Sequence, residues 1–286
     1  MAARQPMGYL MASMAGSISS QTAICGVVLH PAGHTRSPAM HNAAFRELGI
    51  DATYQAFDVP PEDLANAIQD ARTRGIRQLA VSIPHKLSVM EWIDEVDETA
   101  RQIGAVNTVT REGERLVGTN TDWKGVVAAL EVQAGADLSG SRAVVLGAGG
   151  AARAAVFGLR RQGASVAVLN RTTSKAEALA AALDATSAGP LSALADLDYD
   201  VLVNTTSVGL RQDVSPVPQS AIRPGSLVLD AVYDPAETRL LRDARERNAR
   251  TVAGKWWLVH QAAAQLEAWT HQQAPIEVMA RAFDEA

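Results

Sequence analysis

Apolar and polar positions along the first third of the chain fall into short alternating blocks. Ala23 to Leu29 is an apolar run that predicts a buried strand. Ser37-Pro38 offers an N-cap hydroxyl and a proline at the first helical position, predicting a helix through Leu48. Ala52 to Phe57 predicts a second strand. From Pro61 to Arg74, Leu64, Ala67, Ile68 and Ala71 share one face at helical spacing. Gln78 to Ile83 predicts a third strand, and Val106 to Val117 a hairpin about Glu112-Gly113. Strands alternating with helices predict a parallel sheet.

A helix over Trp123 to Ala134 leads into Asp137-Leu138-Ser139-Gly140, a turn-rich stretch and candidate boundary. The alternation then restarts. Strands are expected over Ala143–Leu146, Ser165–Leu169, Val201–Val203, Leu227–Leu229 and Arg250–Val252. Helices are expected over Gly150–Arg161, Thr173–Leu183 and Glu237–Arg247. A last helix, Lys255 to His271, carries Trp257, Leu258, Ala262, Leu266 and Trp269 and is expected to fold back on the first unit. The pattern predicts two α/β units with a cleft between them. One takes residues 22–122 plus 256–286, the other residues 123–255.

With 286 residues, 47% of them hydrophobic and 20% charged, the chain can bury two cores. Its net charge of −5 and lack of a basic stripe argue against a nucleic-acid partner. The single cysteine, Cys25, excludes an internal disulfide and reads as a small apolar residue on a buried strand. His34, His41 and His85 lack metal-ligand spacing, so no metal is expected. No apolar run approaches the ~20 residues of a membrane span. Met1 to Ser20 has one basic residue, Arg4, and is interrupted by Gly8, Ser13, Gly16 and Ser17, unlike a signal peptide. It is expected to be a mobile extension, with Met11 and Met14 as rival starts, on a cytoplasmic protein.

Three runs carry the candidate chemistry. Ser82-Ile83-Pro84-His85-Lys86 puts an ammonium on a tight turn after an apolar strand, and Asn120-Thr121-Asp122 puts a carboxylate in a polar loop. Gly147-Ala148-Gly149-Gly150-Ala151-Ala152 is a phosphate cradle in which Gly147, Gly149 and Ala152 match G-x-G-x-x-G/A between a strand and a helix. The first glycine makes the turn, the second admits the pyrophosphate, and the free N–H groups of the helix start bind it. Reversible oxidation of an alcohol sends a hydride to a nicotinamide and a proton to a protein group such as Lys86 or Asp122. Taken alone, Lys86 reads as a solvated lysine and Asp122 as the N-cap of the helix from Trp123, a role compatible with catalysis. Where NAD sites place a carboxylate after the second strand, this chain has Asn170-Arg171-Thr172 and then Lys175. A guanidinium, a hydroxyl and an ammonium suit a 2′-phosphate, so the expected cofactor is NADP.

Together these motifs resemble the shikimate dehydrogenase family from about Ala23 onward. The similar segments are Pro31, His34, Thr35-Arg36-Ser37-Pro38 and His41-Asn42; Val81 to Lys86; Gly104-Ala105-Val106-Asn107-Thr108; and Asn120-Thr121-Asp122. Asn204-Thr205-Thr206-Ser207, Asp230-Ala231-Val232-Tyr233 and Leu258-Val259-His260-Gln261 continue the resemblance. It implies a substrate-binding domain, a Rossmann-type NADP domain, and reversible reduction of 3-dehydroshikimate in aromatic amino acid biosynthesis. It further implies that Lys86 and Asp122 form the catalytic pair and that Thr35, Ser37, Ser82, Asn107, Tyr233 and Gln261 bind substrate. Ala231 and Gly254 join the cofactor set, Gly254 near the nicotinamide. The chain departs from the family pattern at Thr35 (usually Ser), Ser82 (usually Thr), Trp257 (usually Met) and Ala253 (often Asp). Rival readings are a quinate or aminoshikimate dehydrogenase, a folate-linked methylene dehydrogenase, and a non-catalytic NADP-sensing module. A small-molecule substrate is the expected partner, on a monomer or homodimer without membrane attachment.

Overall fold

The computed structural model describes residues 22–33 and 35–286. The extension expected before Thr22 and the signature residue His34 lie outside the described residues. The chain forms two compact units. The first runs to Arg101 and takes in Ala105–Thr119 and Gln265–Ala286; the second holds Gln102–Gly104 and Asn120–Ala264. Asp137 to Gly140 therefore lies within the second unit.

The first unit contains β1 (Ala23–Leu29), α1 (Ser37–Glu47), β2 (Ala52–Asp58), α2 (Leu64–Thr73), β3 (Gln78–Val81), β4 (Glu95–Val96), most of α3 (Glu98–Ile103), β5 (Thr108–Glu112) and β6 (Arg115–Thr119). Its sheet has the order β2-β1-β3-β5-β6-β4. The expected parallel sheet is corrected to a mixed one. β1 pairs parallel with β2 and β3, but β3 with β5 and β5 with β6 are antiparallel. A parallel neighbour needs a crossover, usually helical. Between β3 and β5 the chain makes only 3₁₀ turns, the short β4 and the six-residue α3, and returns in the opposite sense.

Two helix starts also differ from expectation. Ser37 is the first residue of α1, not its cap; Arg36 caps without a side-chain bond, and Thr35 Oγ1 accepts from Ser37 N–H at 3.3 Å. The prolines at 60 and 61 tighten the next start into a 3₁₀ turn, Pro61–Asp63, so that α2 begins at Leu64. Its face of Leu64, Ala67, Ile68 and Ala71 is buried, as the spacing predicts.

The second unit contains α4 (Asp122–Ala134), β7 (Arg142–Leu146), α5 (Gly150–Arg161), β8 (Ser165–Leu169), α6 (Thr173–Ala182), β9 (Ser187–Gly189), β10 (Val201–Asn204), β11 (Leu227–Asp230), α7 (Arg239–Glu246), β12 (Arg250–Val252) and the start of α8 (Gly254–Thr270). Its sheet is wholly parallel, in the order β12-β11-β10-β7-β8-β9. Successive strand residues point to opposite faces. Val145, Val203 and Leu229 pack in one core, and Val144, Leu202 and Val228 in the other. The strand order reverses direction between β7 and β10, which is the Rossmann arrangement, and ligands bind there at the carboxyl ends of the strands.

The end of α8 and a final helix, α9 (Ile276–Asp284), belong to the first unit. The C-terminal helices thus return to the N-terminal fold from Gln265 onward, whereas Trp257, Leu258 and Ala262, expected on the face that folds back, belong to the second unit. Arg36 fastens α9 there, donating to Phe283 O at 2.7 Å with its guanidinium 4.7 Å from the Phe283 ring centre.

Candidate active site

In the first unit the chain turns sharply after β3, and backbone bonds fix the turn on all sides. Ser82 N–H donates to Val28 O at 2.9 Å, His85 N–H to Ser82 O at 2.8 Å, and Val106 N–H to Lys86 O at 2.8 Å. Lys86 is thereby held half-buried on a rigid frame. His85 is fully buried, with its Nε2–H donating to Val59 O at 2.7 Å. Burial holds its pKa below the usual imidazole range, so it anchors the turn as a neutral ring. Asn107 sits beside this turn and is buried. Its carbonyl accepts from Val81 N–H at 2.7 Å and from Gln265 Nε2 at 3.1 Å, and its Oδ1 from the Thr108 hydroxyl at 2.8 Å. The first unit thus joins Ser82, Lys86 and Asn107 through the end of β3, while Thr35 and Ser37 stand at the start of α1.

Behind this site His41 is 1% exposed and stacks on Tyr54, ring centres 4.1 Å apart. Burial pushes its pKa down to about 3, partly offset by the Gln265 side chain. Such a group binds its proton preferentially in the unfolded chain, so the stability it contributes is present above about pH 6.5 and lost as pH falls toward 3. Between about pH 6 and pH 4 the unfolding free energy is expected to fall about 1.4 kcal/mol per pH unit more steeply than in His41→Asn. Asp230 acts in the opposite sense, since burial raises it to about 6, and it is common to both proteins. Urea titrations giving the same slope for both would contradict this.

In the second unit Asp122 is 4% exposed and is the first residue of α4. The cap is Thr121, which corrects the expectation that Asp122 caps a helix from Trp123. The Asn120 side chain explains the shift: its Oδ1 accepts from Asp122 N–H at 3.0 Å, leaving Asp122 to enter the helix. Thr121 Oγ1 donates to Gln261 O at 3.1 Å, so Gln261 of α8 lies against the same loop. Tyr233 follows β11 in this unit.

The phosphate cradle lies between β7 and α5. Gly147 has φ +116, and a Cβ there would fall 2.4 Å from Thr205 Oγ1, so only glycine makes this turn. A Cβ on Gly149 would meet nothing within 4 Å, which leaves space above the start of α5 for a phosphate. Ala148 and Ala151 flank it, Gly150 opens the helix, and Ala152 is buried against the sheet. After β8, Asn170 Nδ2 donates to Thr172 O at 3.0 Å, and Arg171, Thr172 and Lys175 are exposed. These residues fit NADP: the cradle is open, and donors rather than a carboxylate follow β8.

A buried bracket joins the ends of β10 and β11. Asn204 Nδ2 donates to Asp230 Oδ1 at 2.8 Å, and Val232 N–H and the Thr238 hydroxyl also donate to Asp230 at 3.0 and 2.7 Å. It fixes the backbone at Ala231, whose N–H donates to Asn204 O at 2.9 Å. The first residue of α8, Gly254, approaches so closely that a Cβ would lie 2.7 Å from Ala231 O. The supporting roles of Gln265 and Thr238 carry no sequence motif, and only the fold reveals them. Among the described residues there is no His/Cys/Asp/Glu group able to hold a metal, and no helix long and apolar enough to cross a membrane.

Residues 27–109 match the family described as the shikimate dehydrogenase substrate binding domain, and 128–210 that described as shikimate / quinate 5-dehydrogenase. Residues 258–282 match the shikimate 5'-dehydrogenase C-terminal domain. The chain is 47% identical over 263 residues to the shikimate dehydrogenase (NADP(+)) of Natronomonas pharaonis, covering 91% of this chain and 98% of that one. It is 41% identical over 263 residues to that of Shouchella clausii, covering 90% and 96%. The crystal structure of shikimate 5-dehydrogenase from Thermus thermophilus in complex with NADP(H) and shikimate aligns with a TM-score of 0.86. The two are 37% identical, with 92% of this chain and 99% of that one covered.

Proposed function

The chain belongs to the shikimate dehydrogenase family, and within it we propose that Lys86 and Asp122 handle the proton of the reaction. The activity is the reversible NADP-dependent interconversion of 3-dehydroshikimate and shikimate, a step of aromatic amino acid biosynthesis. What supports the catalytic assignment is that an ammonium on a rigid turn and a carboxylate fixed at a helix start accompany the phosphate cradle. A non-catalytic NADP-sensing module has no use for either group.

When bound, NADPH supplies the hydride. Lys86 donates a hydrogen bond to the substrate carbonyl oxygen, then gives it a proton as alkoxide character develops; in the oxidative direction its amine takes that proton back. Asp122 accepts a hydrogen bond from a substrate hydroxyl and takes part in the same transfer. Thr35, Ser37, Ser82 and Asn107 are proposed contacts of the substrate carboxylate and ring hydroxyls, as are Tyr233 and Gln261, because hydroxyls and amides suit both kinds of group. The backbone from Gly147 to Ala151 would hold the pyrophosphate and Asn170, Arg171, Thr172 and Lys175 the 2′-phosphate, with Ala231 and Gly254 toward the nicotinamide. In this reading the first unit is the substrate domain and the second the NADP domain of a cytoplasmic monomer or homodimer; residues 120–122 and 256–264, expected in the substrate domain, fall in the second unit.

Initial rates with shikimate and quinate, each against NADP+ and NAD+, test the assignment. Shikimate with NADP+ is expected to give the highest kcat/KM; a preference for quinate, or for NAD+, would contradict it. Thr35 and Ser82 exchange a methyl relative to the family pair, and one methylene in a pocket is worth about 1–3 kcal/mol of discrimination. Thr35→Ser is therefore expected to lower kcat/KM for shikimate by roughly tenfold, and adding Ser82→Thr to recover part of the loss. Strictly multiplicative effects would show that the two positions do not compensate.

A further inference from the structure

Trp257 occupies the first turn of α8 and is 5% exposed, packed among Val126, Val127 and Val252 of the second unit. Its indole N–H donates to the carbonyl oxygen of Asp122 at 3.0 Å. One turn further along α8, the carbonyl of Gln261 accepts from the Thr121 hydroxyl at 3.1 Å. At Gly125 a Cβ would lie 2.8 Å from Trp257 Cδ1, from Trp257 O and from Gln261 Cβ. The first turn of α4 is therefore pressed onto α8 with no room for a methyl group.

We propose that Trp257 is a positioning residue for Asp122. The Asp122 main chain is held from both sides, its N–H by Asn120 Oδ1 and its carbonyl by the indole. With the backbone fixed, the direction of the carboxylate is set before substrate arrives. Tryptophan does this because it pairs a buried aromatic body with a donor at its rim. An aliphatic or thioether side chain here would fill space but leave the Asp122 carbonyl without this bond. The inference rests on the reading of Asp122 as a proton-transfer group. Small displacements of such a group are expensive, since about 1 Å of misplacement costs on the order of 10²-fold in rate.

Trp257→Phe keeps the ring and removes the donor. It is expected to lower kcat about tenfold while KM for NADP+ stays within about twofold, because only the aim of Asp122 is loosened. In the Asp122→Asn background the same change is expected to cost nothing further, since the group being positioned is already inactive. Should the phenylalanine variant fail to fold, site-specific replacement of Trp257 by benzothienylalanine, which has sulfur in place of the indole N–H, makes the same comparison at nearly constant volume. A folded variant with native kcat would overturn the proposal, as would a loss that multiplies with that of Asp122→Asn. Native kcat in Asp122→Asn alone would overturn the reading of Asp122 itself, and that result is read in the single variant.

Discussion

Replacing Lys86 by alanine is expected to lower kcat for shikimate oxidation by about 10²–10⁴-fold, the usual contribution of a positioned general acid or base. The KM for shikimate is expected to stay within a few-fold, because the lost interaction matters most as the proton moves. The turn that carries Lys86 is fixed by backbone bonds from Val106, Ser82 and His85 that do not involve the lysine side chain. Alanine should leave that frame standing, so a fall in kcat reports chemistry rather than unfolding. Steady-state kinetics check this, with a thermal melt as control. A variant with near-native kcat would remove Lys86 from the mechanism.

Arg171→Ala is expected to weaken NADP+ binding by tens to more than a hundredfold and NAD+ binding hardly at all. The basis is the loss of charge-assisted hydrogen bonds to a 2′-phosphate, worth about 1.5–3 kcal/mol. Arg171 is exposed after β8, so its removal leaves no cavity in the core. Titration of both dinucleotides into native and variant protein measures the ratio. Equal losses for the two would mean that the arginine does not read the phosphate.

The second sheet was legible in the sequence because a parallel strand covered on both faces is an unbroken apolar run, as in Val144-Val145-Leu146 and Val201-Leu202-Val203. β9 was not, since Ser187-Ala188-Gly189 is a three-residue edge strand without an apolar signal. The reversal that makes the first sheet mixed depends on what lies between β3 and β5, where periodicity is weak. The helix α9 did leave a trace: Ile276, Met279, Ala280 and Phe283 follow Pro275 at helical spacing. At the site, the cradle was readable because its glycines answer to backbone geometry. The Trp257 bond to Asp122 was not, because a tryptophan in an apolar helix carries no mark of where its N–H points. Likewise Ser37 and Asp122 both read as caps, and neighbouring side chains, Thr35 and Asn120, decided otherwise.

If Lys86 and Asp122 move one proton between them, their substitutions must not add. The decisive numbers are the kcat values of Lys86→Ala, Asp122→Asn and the double variant, measured with saturating shikimate and NADP+. Groups that act as a unit lose nearly everything when either is removed, so the double variant is expected to turn over about as slowly as the slower single one. A double loss equal to the product of the two single losses, or a native kcat in either single variant, would contradict a shared proton transfer.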